Sequence, residues 1–488
     1  MTEPGVTAPR DADLPPGGTV EPGGAVEPGG AALSITPLRR NLSMVGLLLA
    51  MFMANIDASI VNVALPQLSH DLRVSPSDAI WVATAFLLAV ACSIPAMSGL
   101  ADQIGRKRMF VIGTPIFTAA SLGCALSPTL GWLVAGRVLQ GIAAAMIFAV
   151  TIPIYRRLFP PQKLGTVLGL NAMIVALGIS AGPTLGGLIL DHLSWPWLFL
   201  INVPLGVLAS LFGAIFIPHR QPPRGDYDLG GAIFGALAIA CFLIGVHSLA
   251  DVRQLWLAAV LLAASAVFIV VFIRIERRVR RPIIPVDIFN GKFSLAVLTA
   301  FWSFFGQGVA FVALPFLFQT AYHATPLQSA LLFTPWPLVI VFVAPLSGRL
   351  ADRWSSSLLA VIGLSVFTLG LLSLALLGDQ PPVWQVLLST GFTGLGFAIF
   401  QAPNNRDMMS AAPMAYATAA AGVLNVNRTL AQSAGAGAVS MALVLAGASA
   451  ASLASQSHAA IQALYVAVLG ALVSVVVSVV KLRANRVR

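Results

Sequence analysis

Long apolar runs separated by short polar segments fill nearly all of the chain after its first forty residues. Because about 20 mostly apolar residues form one helix that crosses a bilayer, each run predicts one membrane-spanning helix. The fourteen runs cover residues 42–66, 79–99, 109–127, 131–154, 165–188, 196–217, 229–249, 254–273, 294–320, 327–348, 357–377, 384–403, 417–446 and 460–480. The pattern therefore predicts an all-α integral membrane protein with fourteen transmembrane helices.

The basic residues are distributed unevenly among the polar segments, and this asymmetry predicts the orientation. Every second segment and the chain ends carry most of them, including Arg39, Arg40, Arg106, Lys107, Arg108, Arg156, Arg157, Arg274, Arg277, Lys481 and Arg483. Cytoplasmic segments carry the excess of Lys and Arg, so both chain ends are predicted to be cytoplasmic. The formal net charge of +10 then reflects topology, and no nucleic-acid partner is expected.

A short motif occurs twice and predicts an internal duplication. Gly99 and Asp102 follow the second run, and Gly348 and Asp352 follow the tenth. A repeat of this kind predicts two pseudo-symmetric six-helix bundles around a central site, here at residues 39–220 and 282–488 with a short basic tail. Residues 221–281 then form an inserted two-helix linker, and residues 1–38, rich in Gly and Pro, a disordered cytoplasmic tail.

The first copy of the motif is a candidate gating loop. Gly99 and Gly105 allow helix ends to approach closely, and Asp102 can accept hydrogen bonds from a helix N-terminus or an arginine. Arg106 and Lys107 can anchor the loop at the anionic inner leaflet. A generic loop that stops translocation would have a similar composition, but the two copies favour a gate.

Asp57 and Arg137 are charged residues inside apolar runs. At 1.5 Å per residue both are predicted to lie at a similar depth, in the outer half of the membrane. Charges at that depth are costly and usually mark an ion or substrate pathway. Burial disfavours the charged carboxylate while a nearby guanidinium favours it, so the pair predicts a proton switch. The alternative is a static ion pair that holds two helices together.

Five segments together resemble the major facilitator superfamily, and in particular its fourteen-span drug:proton antiporter branch. They are residues 102–108 (DQIGRKR), 57–66 (DASIVNVALP), 137–141 (RVLQG), the fifth-run set of Gly178, Gly182, Pro183, Gly186 and Gly187, and residues 195–206 (WPWLFLINVPLG). The resemblance implies alternating access driven by a proton gradient without a cofactor. It also implies proton coupling by Asp57 and Arg137, and a monomer in a bacterial cytoplasmic membrane.

The fifth-run set recurs at helical spacing. Gly178, Gly182 and Gly186 fall on one helix face, where small residues let backbones pack closely, and Pro183 can kink the helix. The resemblance associates this helix with export rather than import. Ordinary close helix packing is the alternative.

Polar residues in the core runs are candidates for a substrate cavity. They are Asn62, Trp81, Gln140, Asn202, Gln307, Asn425 and Arg428. No acidic residue lies deep in runs nine to fourteen, and Asp407 is predicted to be neutralised by Arg406. Dicationic cargo is therefore disfavoured, and neutral, zwitterionic or anionic cargo remains open.

The leading hypothesis is proton-coupled efflux of small amphipathic compounds or drugs. A proton-coupled exporter or importer of one specific metabolite is the alternative. The six His residues are scattered without metal-ligand spacing, and no phosphate-binding loop is present. The sequence therefore predicts neither an enzyme nor a metal site, and a receptor would leave the charges within the membrane unexplained.

Overall fold

The computed structural model describes residues 36–219, 228–249, 254–279, 282–351, 353–378, 380–413, 416–447 and 452–486. The predicted tail up to residue 35, the predicted boundaries at residues 220 and 281, and Asp352 lie outside the described residues.

Helices make up most of the described chain. The N-terminal helices are α1 (Pro37–Asp71), α2 (Pro76–Ala79), α3 (Trp81–Ile104), α4 (Arg106–Ala125), α5 (Leu130–Leu158), α6 (Pro161–His192), α7 (Trp197–Leu200) and α8 (Asn202–Phe216). A middle pair consists of α9 (Leu229–Ser248) and α10 (Leu255–Glu276). The C-terminal helices are α11 (Gly291–Thr320), α12 (Pro326–Phe333), α13 (Pro335–Leu350), α14 (Ser356–Ala375), α15 (Val383–Ala411), α16 (Ala417–Leu445) and α17 (Leu453–Arg486).

Thirteen membrane-spanning candidates, by length and composition, occur in the described part of the chain. They correspond to thirteen of the fourteen apolar runs. The remaining run forms α16, which is 29 residues long but is not among the thirteen. Arg428 and Gln432 lower the hydropathy of α16, so it is long enough to cross the membrane but less apolar than the others.

Proline and polar caps set several helix ends. Asn290 caps α11 by accepting a hydrogen bond from the backbone N–H of Phe293 at 2.9 Å. Thr325 and Gln328 form a reciprocal capping box at the start of α12. Pro335 begins α13 and breaks the tenth run into two helices, because proline has no backbone N–H to continue the ladder.

Gly105 forms the whole connection between α3 and α4. Its φ of 97° lies in the left-handed region that residues with a Cβ avoid. This glycine therefore lets the two helices join through a single residue, which explains its place within the sequence motif.

The two ends of the molecule differ in how the N- and C-terminal helices meet. The end where α1 begins and α17 ends is named the basic end, after Arg39, Arg106 and Lys481, and the opposite end is named the far end. At the far end one buried apolar cluster joins both sets of helices, including Leu65 and Leu68 of α1 and Phe316 and Phe318 of α11. At the basic end the buried apolar residues form two separate clusters, one in each set. The buried apolar core is therefore continuous between the two sets at the far end and divided between them at the basic end, where Val426 of α16 packs against the N-terminal cluster.

The middle pair packs beside both sets of helices. Helix α10 contacts α9, and α9 contacts α3 of the N-terminal set and α16 of the C-terminal set. His247 of α9 packs edge-on against Trp81 of α3, with ring centroids 4.2 Å apart. Helix α9 thus contacts one helix of the N-terminal set and one helix of the C-terminal set.

Candidate functional site

Asp57 and Arg137 meet inside the N-terminal helices, fully buried. Asp57 Oδ2 accepts a hydrogen bond from Arg137 Nη1, which bridges α1 and α5. Its Oδ1 accepts from Asn202 Nδ2 at 2.7 Å and from Gln140 Nε2 at 3.2 Å. The carboxylate therefore has donors on both oxygens, which compensates a charge that is otherwise costly at this depth.

Further contacts fix the guanidinium of Arg137. Its Nε donates to the carbonyl oxygen of Val82 at 2.9 Å, and its Nη1 also donates to Gln140 Oε1 at 2.8 Å. The guanidinium carbon lies 4.3 Å from the ring centroid of Phe86, within range of a cation–π interaction. Arg137 thus links α5 to α1 and α3, and losing the charge on Asp57 would remove its principal ionic partner.

A cavity lies between the N- and C-terminal helices. Its walls are Asn55, Ala58, Ser59 and Asn62 of α1, Ala83, Phe86, Leu87 and Val90 of α3, Phe148 of α5, Ile179 of α6, Gly308, Phe311 and Val312 of α11, and Arg428, Thr429, Gln432 and Ala436 of α16. The space between these walls is about 710 Å³, including its open mouth.

The far end of the cavity is closed by contacts between the two sets of helices. Gln319 Nε2 of α11 donates to the carbonyl oxygen of Val63 of α1 at 2.9 Å. The hydroxyls of Thr184 in α6 and Thr334 beside α12 lie 2.9 Å apart. With this end sealed and the buried apolar core divided at the basic end, the geometry favours access of a ligand from the basic end.

Phe86 separates the ion pair from the cavity. One side of its ring faces the Arg137 guanidinium, and the residue is also part of the cavity wall. On α1, Asn55 and Ser59 line the cavity, whereas Asp57 lies between them in sequence and points to the Arg137 side. A change at the ion pair can therefore reach the cavity through one aromatic ring and one helix.

The glycines of α6 contact two different neighbours. A Cβ at Gly178 would lie 3.0 Å from the Asn55 Cβ, and one at Gly182 would lie 2.9 Å from the Ser59 Cβ, so this face packs directly on α1. A Cβ at Gly187 would instead lie 2.6 Å from the Ala330 Cβ of α12. Gly186 also faces α1, and Pro183 is buried in the same stretch. Gly187 thus allows α6 and α12 to touch at the far end.

Replacing Gly187 with valine is expected to open the far end. The added carbons would overlap α12, and overpacking costs about 1–3 kcal/mol. That energy shifts the equilibrium between the closed and open far ends by about fivefold to 150-fold. A cysteine at Asn62, in a chain whose native cysteines are replaced by serine, should react faster with an impermeant maleimide added at the far side. Gly123→Val is the matched control, because nothing lies within 4 Å of that position. Equal labelling in both variants would contradict the expectation.

The predicted gating loop is ordered at the basic end. Arg106 Nη2 lies 3.0 Å from Asp102 Oδ1, four residues earlier across the Gly105 connection, and Lys107 Nζ donates to the carbonyl oxygen of Ala214 at 2.8 Å. Gly348 has open space around it, and Gly99 lies one turn before Asp102 in α3. In this conformation the loop is tied to α8 through Lys107, and its role as a gate stays a prediction.

The predicted cavity residues separate into three groups. Asn62 and Arg428 line the cavity. Gln140 and Asn202 belong to the Asp57 network instead of the cavity wall. The remaining three, Trp81, Gln307 and Asn425, are outside the wall, although Gln307 accepts a hydrogen bond at 2.9 Å from Gln432, which is in it.

Several wall residues were not predicted from the sequence. Phe86, Phe148 and Phe311 give the cavity an aromatic character, and Gln432 adds a polar group. The only available signal for Gln432 was its spacing of one helical turn from Arg428. Apolar aromatics give no such signal, because lipid-facing and cavity-facing phenylalanines look alike in a membrane helix.

The sequence assigned the wrong partner to Asp407. Lys481 Nζ lies 3.0 Å from Asp407 Oδ2, and Lys481 is 2% exposed. Ser357 Oγ donates to the same oxygen at 3.1 Å. Lys481 is distant in sequence but adjacent in space, because α15 and α17 both end at the basic end. Among the described residues, no group of three or more His, Cys, Asp or Glu side chains is placed to hold a metal ion.

Comparison with known proteins identifies a family and several relatives named as transporters or resistance proteins. The model of the family described as Major Facilitator Superfamily matches residues 47–436. An Escherichia coli (strain K12) protein named "Uncharacterized transporter YebQ" is 37% identical over 80% of this chain and 86% of its own length. "Multidrug resistance protein Stp" of Mycobacterium tuberculosis is 30% identical over 80% of this chain and 73% of its own length. "Riboflavin transporter RibZ" of Clostridioides difficile is 28% identical over 75% and 80%, respectively.

A solved structure shares the fold at low identity. The crystal structure of a bacterial homologue of the human lysosomal transporter Spinster, in an inward-facing and unoccupied conformation, superposes with a TM-score of 0.68. It is 14% identical and covers 92% of this chain and 98% of its own. The similarity extends over nearly the full length of both chains.

Proposed function

The chain belongs to the major facilitator superfamily and is a membrane transporter for a small molecule, and from that premise we propose that it is a proton-coupled exporter. Its cargo is a small amphipathic compound, and it works as a monomer in a bacterial cytoplasmic membrane with both ends of the chain in the cytoplasm. The proton gradient supplies the energy without a cofactor. The observation that carries this proposal is the buried Asp57–Arg137 pair beside a cavity whose far end is closed.

The proposed cycle follows from which end of the cavity is closed. With the basic end in the cytoplasm, the conformation described accepts cargo from the inside. Opening of the far end brings water to the outer half of α1, where a proton from outside can reach Asp57. Protonation removes the ionic attraction that holds Arg137 against α1, and the released guanidinium displaces Phe86 toward the cavity. Cargo then leaves to the outside, and the proton leaves to the inside on return.

Export is favoured over uptake because the glycine stripe of α6 resembles a helix motif that is associated with export in the family. The stripe lets α6 pack on α1 along one side and on α12 along the other, so the far end closes by backbone contact. The relatives that are named multidrug resistance proteins support a broad amphipathic cargo. A single metabolite is the second candidate, because a relative of comparable coverage is named a riboflavin transporter.

A reversible lock at the far end tests alternating access and proton coupling together. The hydroxyls of Thr184 and Thr334 are 2.9 Å apart, so cysteines at both positions can form a disulfide in the closed state. In proteoliposomes containing a pH dye, an outward gradient of a transported dye should drive proton movement through the wild type. The oxidised double variant should lose both fluxes, and a reductant should restore them. The Thr184→Cys single variant is the control. Cargo flux without proton movement in the wild type would refute coupling, and full flux through the oxidised variant would refute alternating access.

A further inference from the structure

Arg428 is the one charged side chain among the described residues that line the cavity. The other polar members of the wall are neutral: Asn55, Ser59, Asn62, Thr429 and Gln432. No Asp or Glu occurs among these described wall residues. The cavity therefore carries one uncompensated positive charge.

The guanidinium of Arg428 also has no partner among the residues that the structure describes. None of the described residues forms a hydrogen bond or an ion pair with it, whereas Nε and Nη1 of Arg137 both donate to protein oxygens. Its neighbours on α16 are occupied elsewhere: Thr429 Oγ1 donates to the Asn425 carbonyl oxygen, and Gln432 donates to Gln307. The five N–H donors of Arg428 are thus free to bind a ligand from the cavity.

The depth of Arg428 within the protein makes its charge costly to bury when the cavity closes. It lies 11 residues from the start of α16, about 16 Å along the helix axis at 1.5 Å per residue, so it is deep between the two sets of helices. Water from the basic end can solvate it while the cavity is open. When the basic end closes, that water is excluded, and an unpaired guanidinium in an apolar surrounding is strongly disfavoured.

We propose that the cargo carries an anionic group, a carboxylate or a sulfonate, that binds Arg428 while its flat apolar body packs among Phe86, Phe148 and Phe311. Arginine presents a planar fork of donors that matches these oxyanions, and charge-assisted hydrogen bonds of this type are strong. The aromatic rings bind the apolar part of the same molecule. This inference rests on the proposed function and adds the charge of the cargo to it.

Binding of an anion also controls the transport cycle. The loaded cavity is electrically neutral, so its basic end can close without burying a bare charge. The empty cavity retains the charge of Arg428 and resists closing. The change from an open to a closed basic end is therefore easier for the cargo-bound protein than for the empty one. The binding energy of the anion offsets the cost of removing water from the guanidinium.

The test compares two dyes that share a flat xanthene body and differ in charge. Equilibrium dialysis of the purified full chain in detergent measures binding of fluorescein, an anion, and rhodamine 123, a cation. Wild-type protein should bind fluorescein at least about tenfold tighter, as one direct charge-assisted contact provides. Arg428→Gln should remove that preference, and Arg428→Lys should retain part of it. Arg483→Gln, at an exposed position near the end of α17, should behave as wild type.

The outcomes separate this inference from the proposed function. Dialysis requires no proton gradient, so loss of coupling in proteoliposomes leaves the binding result intact. An absent preference in the wild type, or a preference that survives in Arg428→Gln, would overturn anionic cargo while leaving proton-coupled export standing. If Arg428→Gln does not elute as a folded monomer, Arg428→Lys decides. A Lys variant with the wild-type fluorescein affinity would show that the arginine fork is not used.

Discussion

Asp57→Asn is expected to abolish uphill, proton-driven export while leaving downhill exchange of cargo. Asparagine keeps the shape of the side chain and an oxygen that can accept from Asn202 Nδ2, now 2.7 Å from the carboxylate. It remains neutral and cannot take up or release a proton. Proteoliposomes with an imposed pH gradient measure accumulation, and the same vesicles without a gradient measure exchange.

The matched control for this variant is an acidic residue outside the network. Asp71 lies at the end of the same helix and is accessible to water, so Asp71→Asn should accumulate cargo as wild type does. Retention of gradient-driven accumulation in Asp57→Asn would show that the buried pair only holds α1 against α5. Loss of both accumulation and exchange would indicate that the substitution disturbs the structure rather than the coupling.

Arg137→Met is expected to produce the largest loss of stability. It leaves the Asp57 carboxylate buried with only the amides of Asn202 and Gln140 as donors. Removing one partner of a buried ion pair costs about 3–5 kcal/mol, mainly because the other charge is left uncompensated. Thermal unfolding in detergent, followed by the loss of monodisperse protein on heating, should show a clearly lowered transition.

A double variant identifies the cause of that loss. Asp57→Asn combined with Arg137→Met removes both charges, so it should be more stable than Arg137→Met alone. Arg108→Met, at an exposed position at the basic end, should not lower the transition. If the double variant is as unstable as the single one, the loss arises from the packing of Arg137 on Phe86 and not from its charge.

The sequence predicts the Asp57–Arg137 meeting for a simple reason. In a membrane the depth of a residue follows from its distance along a helix of fixed rise, so two charges in the apolar runs can be placed without knowing the packing. Asp57 and Arg137 are 80 positions apart in the sequence, yet the structure brings them into contact. The same reasoning succeeds for the glycines of α6, because a four-residue period defines a helix face regardless of its neighbour.

The sequence predicts the depth of a residue in the membrane, but not which neighbour its side chain faces. Gln140 and Asn202 were predicted for the cavity, but they point into the Asp57 network. Gln432 and Phe86 line the cavity without an advance signal. A membrane helix can be apolar on all sides, so its hydropathy does not tell which face meets lipid, another helix or a cavity.

The sequence by itself thus determined the class of the protein, the order of its apolar membrane-spanning segments and the similar depth of Asp57 and Arg137. These properties depend on apolar length and helical rise, both of which are local. Only the tertiary structure decided that Lys481 pairs with Asp407, that Gly187 meets α12, and that Arg428 faces a cavity with no carboxylate among its described wall residues. Those outcomes depend on how helices far apart in the chain rotate and pack. In lipid the hydrophobic effect does not select which helix face is buried, so the shapes and charges of the neighbouring helices decide it.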